Sequence, residues 1–248
     1  EYGLIGKGTE GFFQTFEASI KENPHTNTIK KKIQATNVVG YIDNNQEETI
    51  IIGAHYDHIG YGDFSSLYDG EREIHNGADD NASGVSIMIN LAKSLNEVKN
   101  YNYLFIGFSG EEHGLFGSSH YAKNPTVDLD KVRFMINFDM VGRLNQEKTL
   151  AINGIGTSSY WDQLINNSNT FKFKLKTTES GIGPSDHTSF YLQDIPSIHF
   201  FTGQHEDYHK PSDDVEKINF EGMYMIMKYI ESIIEESTKI TNFDFQET

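Results

Sequence analysis

Apolar residues along this chain gather in short runs that break at polar or glycine-rich turns. Ile50–Ala54, Tyr103–Phe108, Val132–Phe138 and Ile198–Phe201 are largely apolar on successive positions. That is the pattern of strands buried on both faces. Thr149–Asn153 reads as a further short strand, and Phe171–Leu175 alternates strictly, as a strand near a sheet edge does. Ile29–Asp43 alternates weakly and ends at Asn44-Asn45, which predicts a hairpin with the strand Glu48–Ala54. The opening GFFQTFEASI fits either a strand or a short helix. Between these runs lie helical patterns. In about Ala82–Val98, the residues Val85, Met88, Ile89, Leu91, Ala92 and Leu95 cover more than one face, so that helix is expected to be well buried. Ser158–Asn166, Asp186–Leu192 and the amphipathic Phe220–Glu236 complete the set. Strands that alternate with helices predict an α/β fold, a three-layer α/β/α sandwich around a mixed, mostly parallel sheet, with residues 1–248 as one domain.

Composition narrows the partners. The 248 residues are 37% hydrophobic and 12% aromatic, enough for a real core, and carry a formal charge of −16. Such acidity argues against nucleic acid and anionic membranes and favours cations, metals and positively charged peptide termini included. The absence of cysteine excludes thiolate ligands, a cysteine nucleophile and disulfides. No apolar stretch approaches the roughly 20 residues that span a bilayer, so membrane insertion is not expected. The chain begins at Glu1 with no visible signal peptide. The expectation is an exported bacterial protein, periplasmic, cell-surface or secreted, from which an upstream segment was removed. Lack of cysteine fits the cytosol equally well.

Chemistry collects at the strand ends. Ile50–Ala54 runs into His55 and Asp57, Tyr103–Phe108 is followed by Glu111 and Glu112, Val132–Phe138 ends at Asp139, and Ile198–Phe201 is followed by His205 and His209. Asp79 and Asp80 stand just before a helix. Ligands of α/β proteins bind beyond the carboxyl ends of the strands, and this inventory of imidazoles and carboxylates suits an open, catalytic zinc site. An adjacent acidic pair alone is more often a solvated loop. Here it gains company from the ends of three other strands and from Asp79 and Asp80. No nucleophile elbow, P-loop or dinucleotide fingerprint occurs, and the formal zincin match HEDYH (His205 to His209) sits in a loop rich in Pro and Asp.

The blocks GAHYDH (Gly53 to His58), GADDNASG (Gly77 to Gly84), FSGEEHGLFGS (Phe108 to Ser118), NFDMVG (Asn137 to Gly142), SDHTSF (Ser185 to Phe190) and EDYHKPSDD (Glu206 to Asp214) resemble, in this order, the bacterial double-zinc aminopeptidases, family twenty-eight of the metallopeptidases. The resemblance implies two zinc ions per chain. It makes His55 and Asp139 ligands of the first, Glu112 and His209 ligands of the second, and Asp79 the bridging carboxylate, followed by a cis peptide to Asp80. It implies that Glu111 is the general base, that Asp57 orients His55, that Asp186 orients His209, and that His187 stabilises the oxyanion. The remaining histidines, His25, His58 and His205 among them, are expected on the surface, in packing or at the rim. Tyr61, Phe64, Tyr68 and Ile182 are candidates for the side-chain pocket.

The implied activity is hydrolysis of the N-terminal residue from peptides with a free amino terminus. Alternatives are a glutaminyl cyclase, with one zinc and a pyroglutamate product, and a catalytically dead, receptor-like binding domain.

Overall fold

The computed structural model describes residues 3–21 and 29–248, so the expectation for His25 lies outside the described residues. Its strands are β1 (Ile5–Gly6), β2 (Phe13–Lys21), β3 (Ile29–Ile42), β4 (Thr49–His55), β5 (Asn102–Phe108), β6 (Val132–Phe138), β7 (Thr149–Asn153), β8 (Lys174–Thr178) and β9 (Ser197–Phe201). They form one mixed sheet in the order β1-β3-β5-β4-β6-β9-β7-β8, with β2 also paired to β3. The central strands β5, β4, β6 and β9 are parallel, so their carboxyl ends share one edge.

Burial explains the layers. Every residue of β4, β5 and β6 is buried, and successive side chains alternate between two cores. Ile50, Ile52, Tyr103, Phe105, Phe134 and Ile136 pack under α1 (Gly84–Leu95), α3 (Trp161–Ser168) and α5 (Phe220–Ser237). Ile51, Leu104, Ile106, Phe108 and Met135 meet α2 (Phe116–Lys123) and α4 (His187–Tyr191) on the opposite face through Tyr121 and Phe190. This is the expected three-layer α/β/α sandwich. Among the described residues no helix is long and apolar enough to cross a membrane.

The predicted hairpin between β3 and β4 does not form. β5 lies between them, antiparallel to β3 and parallel to β4, with Phe105 opposite both Gly40 and Ile52. A strand buried on both faces needs partners on both edges, and β5 takes the interior place. The hairpin partner of β3 is β2, where Thr15 faces Thr36, which settles the opening segment as a strand. β8 takes the predicted edge position, but it starts at Lys174, after Phe173 has turned into the core.

α1 is entered through an irregular turn, Ala78–Ser83, in which Asp80 and Asn81 leave helical dihedral angles. The cis peptide is Asp80–Asn81, one residue later than expected. The Asn81 side chain ties this turn to the end of β6. Its amide donates to the Phe138 carbonyl (2.9 Å), and its oxygen accepts the N–H groups of Gly84 (3.1 Å) and Met140 (3.2 Å).

Candidate metal centre

The shared edge of the parallel strands brings two sets of imidazole and carboxylate together. His55 closes β4 and is buried; its Nδ1–H donates to the backbone carbonyl of Asp57 (3.1 Å), which turns Nε2 inward. Nε2 then lies 3.4 Å from Asp80 Oδ1 and 3.4 Å from Asp139 Oδ1. The second set forms around the other oxygen of the same carboxylate. His209 Nε2 is 3.2 Å from Asp80 Oδ2 and 3.1 Å from Glu112 Oε2. Potential ligand atoms of His55, Asp80 and Asp139, and those of His58, Asp80 and Glu112, lie within 4.8 Å of one another in each group.

Two observations test whether a cation fits. His55 Nε2 and His209 Nε2 are buried and face carboxylates, yet neither makes a hydrogen bond. Their lone pairs instead converge with carboxylate oxygens on common points. The separations also match: donors about 2.0–2.1 Å from zinc in a tetrahedron are about 3.3 Å apart. The donors are nitrogen and oxygen only, which suits zinc and departs from the all-oxygen sets of calcium or magnesium. Asp80 offers one oxygen to each set, the arrangement a bridging ligand needs.

This corrects the expectation for Asp79. Its carboxylate turns away from both sets, where Oδ1 accepts Ser83 Oγ–H (2.9 Å) and the Gly142 N–H (2.6 Å), and Oδ2 faces His205 Nε2 (3.1 Å). The same bond takes His205 out of the zincin reading. Asp79 knots α1, the β6 exit loop and the His205 loop together, and its neighbour projects into the site.

The expected orienting residues are likewise rearranged. Asp57 orients His55 through its carbonyl, while its carboxylate, 3.9 Å from Nδ1, accepts the Glu111 N–H (3.1 Å). Asp186 does not orient His209. That role falls to the backbone of the long loop after β4, where His209 Nδ1 donates to the Ser65 carbonyl (2.7 Å) and Leu67 N–H donates back to the His209 carbonyl (3.0 Å). Asp186 is wholly buried, and burial pushes its carboxyl up to about 7. His187 is also wholly buried, stacked behind His199 with ring centroids 5.0 Å apart, and burial holds its imidazole well below the ordinary range.

A cavity of about 360 Å³ opens over the site. Asp80, Glu111, Glu112 and Asp139 line it, together with Met140, Pro184 and Phe201, and with His199, Gln204 and Tyr208 as polar neighbours. None of Tyr61, Phe64, Tyr68 and Ile182 is among its lining residues. Three of them are exposed, and Phe64 stacks on His113 at 3.9 Å.

The paired glutamates differ sharply. Burial pushes the Glu111 carboxyl up to about 10, against the pull of His55 and with the push of Asp186, Asp139 and Glu112. Burial acts on Glu112 in the same sense, but the nearby His209 imidazole and the hydrogen bond to His58 hold it down to about 2. One side chain is committed to neighbouring imidazoles, and the other is left as a proton-holding group beside them.

Residues 37–234 match the family model described as Peptidase family M28. The chain is 28% identical over 248 residues to Aminopeptidase YwaD of Bacillus subtilis (strain 168), across 96% of this chain and 51% of that protein. Among solved structures it is similar to BSAP, a zinc aminopeptidase from Bacillus subtilis, with TM-score 0.68 and 27% identity over 84% of this chain and 52% of that one. A Bacteroides thetaiotaomicron glutaminyl cyclase has the same fold, with TM-score 0.70 and 19% identity over 90% of this chain and 82% of that one. The chain thus spans about half the length of its Bacillus relatives. The family match takes in every strand-end residue of the two sets, from His55 to His209, and the chain belongs to Peptidase family M28.

Proposed function

We propose that the protein is a zinc-dependent aminopeptidase that removes the N-terminal residue from peptides with a free amino terminus, using two ions per chain. The observation that carries this reading is the Asp80 carboxylate, shared between the His55–Asp139 and His209–Glu112 sets, with Glu111 alongside but in neither. His55, Asp80 and Asp139 would hold one ion, and Asp80, Glu112 and His209 the other. Bound zinc supplies Lewis acidity and lowers the pKa of water from about 15.7 toward 7.

Glu111 then handles the proton. Its high pKa belongs to the metal-free protein, and nearby divalent charge favours the ionised form that a base requires. Its main chain is fixed by the Asp57 carboxylate. Glu111 takes a proton from water and returns it to the leaving amine. With His187 behind His199, the cavity-facing His199 and Tyr208 are better placed than His187 to meet charge developing on the substrate carbonyl. The carboxylates around the cavity, on a chain of formal charge −16, favour a cationic amino terminus.

The test pairs zinc content by mass spectrometry with free and N-acetylated aminoacyl substrates. About two zinc ions and cleavage of free amino termini only are expected. Equal cleavage of acetylated substrates would refute the exopeptidase reading. Conversion of glutaminyl peptides to pyroglutamate would favour the cyclase.

A further inference from the structure

We propose that His58 is a positioning residue for Glu112, holding one carboxylate oxygen so that the other faces His209 and Asp80. The proposal rests on the two-ion reading above. His58 Nδ1 lies 2.7 Å from Glu112 Oε1, while Oε2 lies 3.1 Å from His209 Nε2. An ionised carboxylate only accepts hydrogen bonds, so the proton between them sits on Nδ1. A glutamate can turn its carboxylate about its last torsion, and a bond to one oxygen removes that freedom.

The ring is itself held in place. A Cβ on Gly77 would come within 2.7 Å of it, and Gly77 has φ +63°, so this approach suits glycine alone. The His209 ring meets it edge-on at 5.8 Å.

Geometry also separates a donor from a ligand. The 2.7 Å contact is a charge-assisted hydrogen bond in length and is shorter than the roughly 3.3 Å between two donors around zinc. His58 Nδ1 is 3.8 Å from Asp80 Oδ2, the oxygen that the second ion would share.

Three variants separate the roles. Asparagine can place an amide N–H near Nδ1, glutamine reaches only toward Nε2, and alanine offers neither. His58→Ala and His58→Gln should weaken zinc at the Glu112–His209 site about 10–100-fold, the usual effect of losing a group that orients a ligand. The His55–Asp139 site should change little. His58→Asn should recover most of the loss. Wild-type affinity at both sites in His58→Ala would overturn the proposal. So would a loss in His58→Asn as large as in His58→Ala, which would make the ring itself a ligand. A readout without metal keeps the two readings apart: ring ¹⁵N spectra of the zinc-free protein should show His58 protonated at Nδ1, and that signal should change in Glu112→Gln. A wild-type chain that binds no zinc would sink the metal centre, and the ring spectrum would still decide the His58–Glu112 bond.

Discussion

The buried carboxylate of Asp213 accepts the backbone N–H of Asp80 at 3.1 Å. The same oxygen, Oδ2, also takes the N–H of Asp79 at 2.8 Å. Its other oxygen receives Arg143 Nη2 at 2.9 Å, and that guanidinium also contacts Asp207 at 3.3 Å. The main chain that carries the shared carboxylate is therefore pinned to the His209 loop by a buried charge that Arg143 keeps paired.

Neutralising Asp213 should loosen that pin. In Asp213→Asn, zinc affinity should fall at both sites together, by about 10–100-fold, because both depend on Asp80. Chelator competition reads the two affinities. Urea melts of the zinc-free variant should show a loss of about 1–3 kcal/mol, since the bond to Arg143 is weakened while Asp207 keeps the guanidinium paired. A loss confined to one site would mean that Asp213 acts elsewhere.

The strand ends were legible because β4, β5 and β6 are buried on both faces and so read as unbroken apolar runs, each stopping where chemistry begins. Pairing was not. Nothing local to Ile29–Asp43 says that a strand sixty residues later will insert beside it, and the Asn44-Asn45 turn pointed to the nearer partner. The site failed at the same scale. Asp79 and Asp80 are both acidic and both precede a helix, and only the turn around Asp80–Asn81 decides which carboxylate faces His55. Backbone carbonyls leave no residue signature, so the roles of Asp57 and Ser65 as acceptors for His55 and His209 were invisible. His58 was readable as the last residue of HYDH, but its spacing marked it no more than any loop histidine.

Asp186 should reveal itself through pH. Neither of its oxygens makes a hydrogen bond, and burial pushes its carboxyl up to about 7. An unfolded aspartate releases its proton near pH ~3.9. Between those values the folded, zinc-free protein keeps a proton on Asp186 that the unfolded chain releases, so this carboxyl's contribution to stability is full below about pH 4, is lost as pH rises toward 7, and stays constant above. Asp186→Asn should lack this fall and gain on the wild type across that window in denaturant melts. It should leave zinc at the His209 site unchanged, because Ser65 orients that ring. Parallel pH curves for the two proteins would remove the carboxyl from this account.

Glu111→Gln should separate binding from turnover. The amide keeps the shape of the side chain but cannot accept a proton from water. Zinc content should stay at the wild-type level, while turnover of a free aminoacyl substrate falls about 10²–10⁴-fold. Wild-type turnover would show that another group is the base.

The shared carboxylate is the centre of the account, and zinc bound per chain after dialysis tests it most directly. Asp80→Ala should lose both ions, since each set loses a donor. Asp79→Asn, treated identically, should keep two and instead lose about 1–3 kcal/mol of stability from its weakened buried bonds. Two ions retained by Asp80→Ala, or both lost from Asp79→Asn, would contradict the assignment.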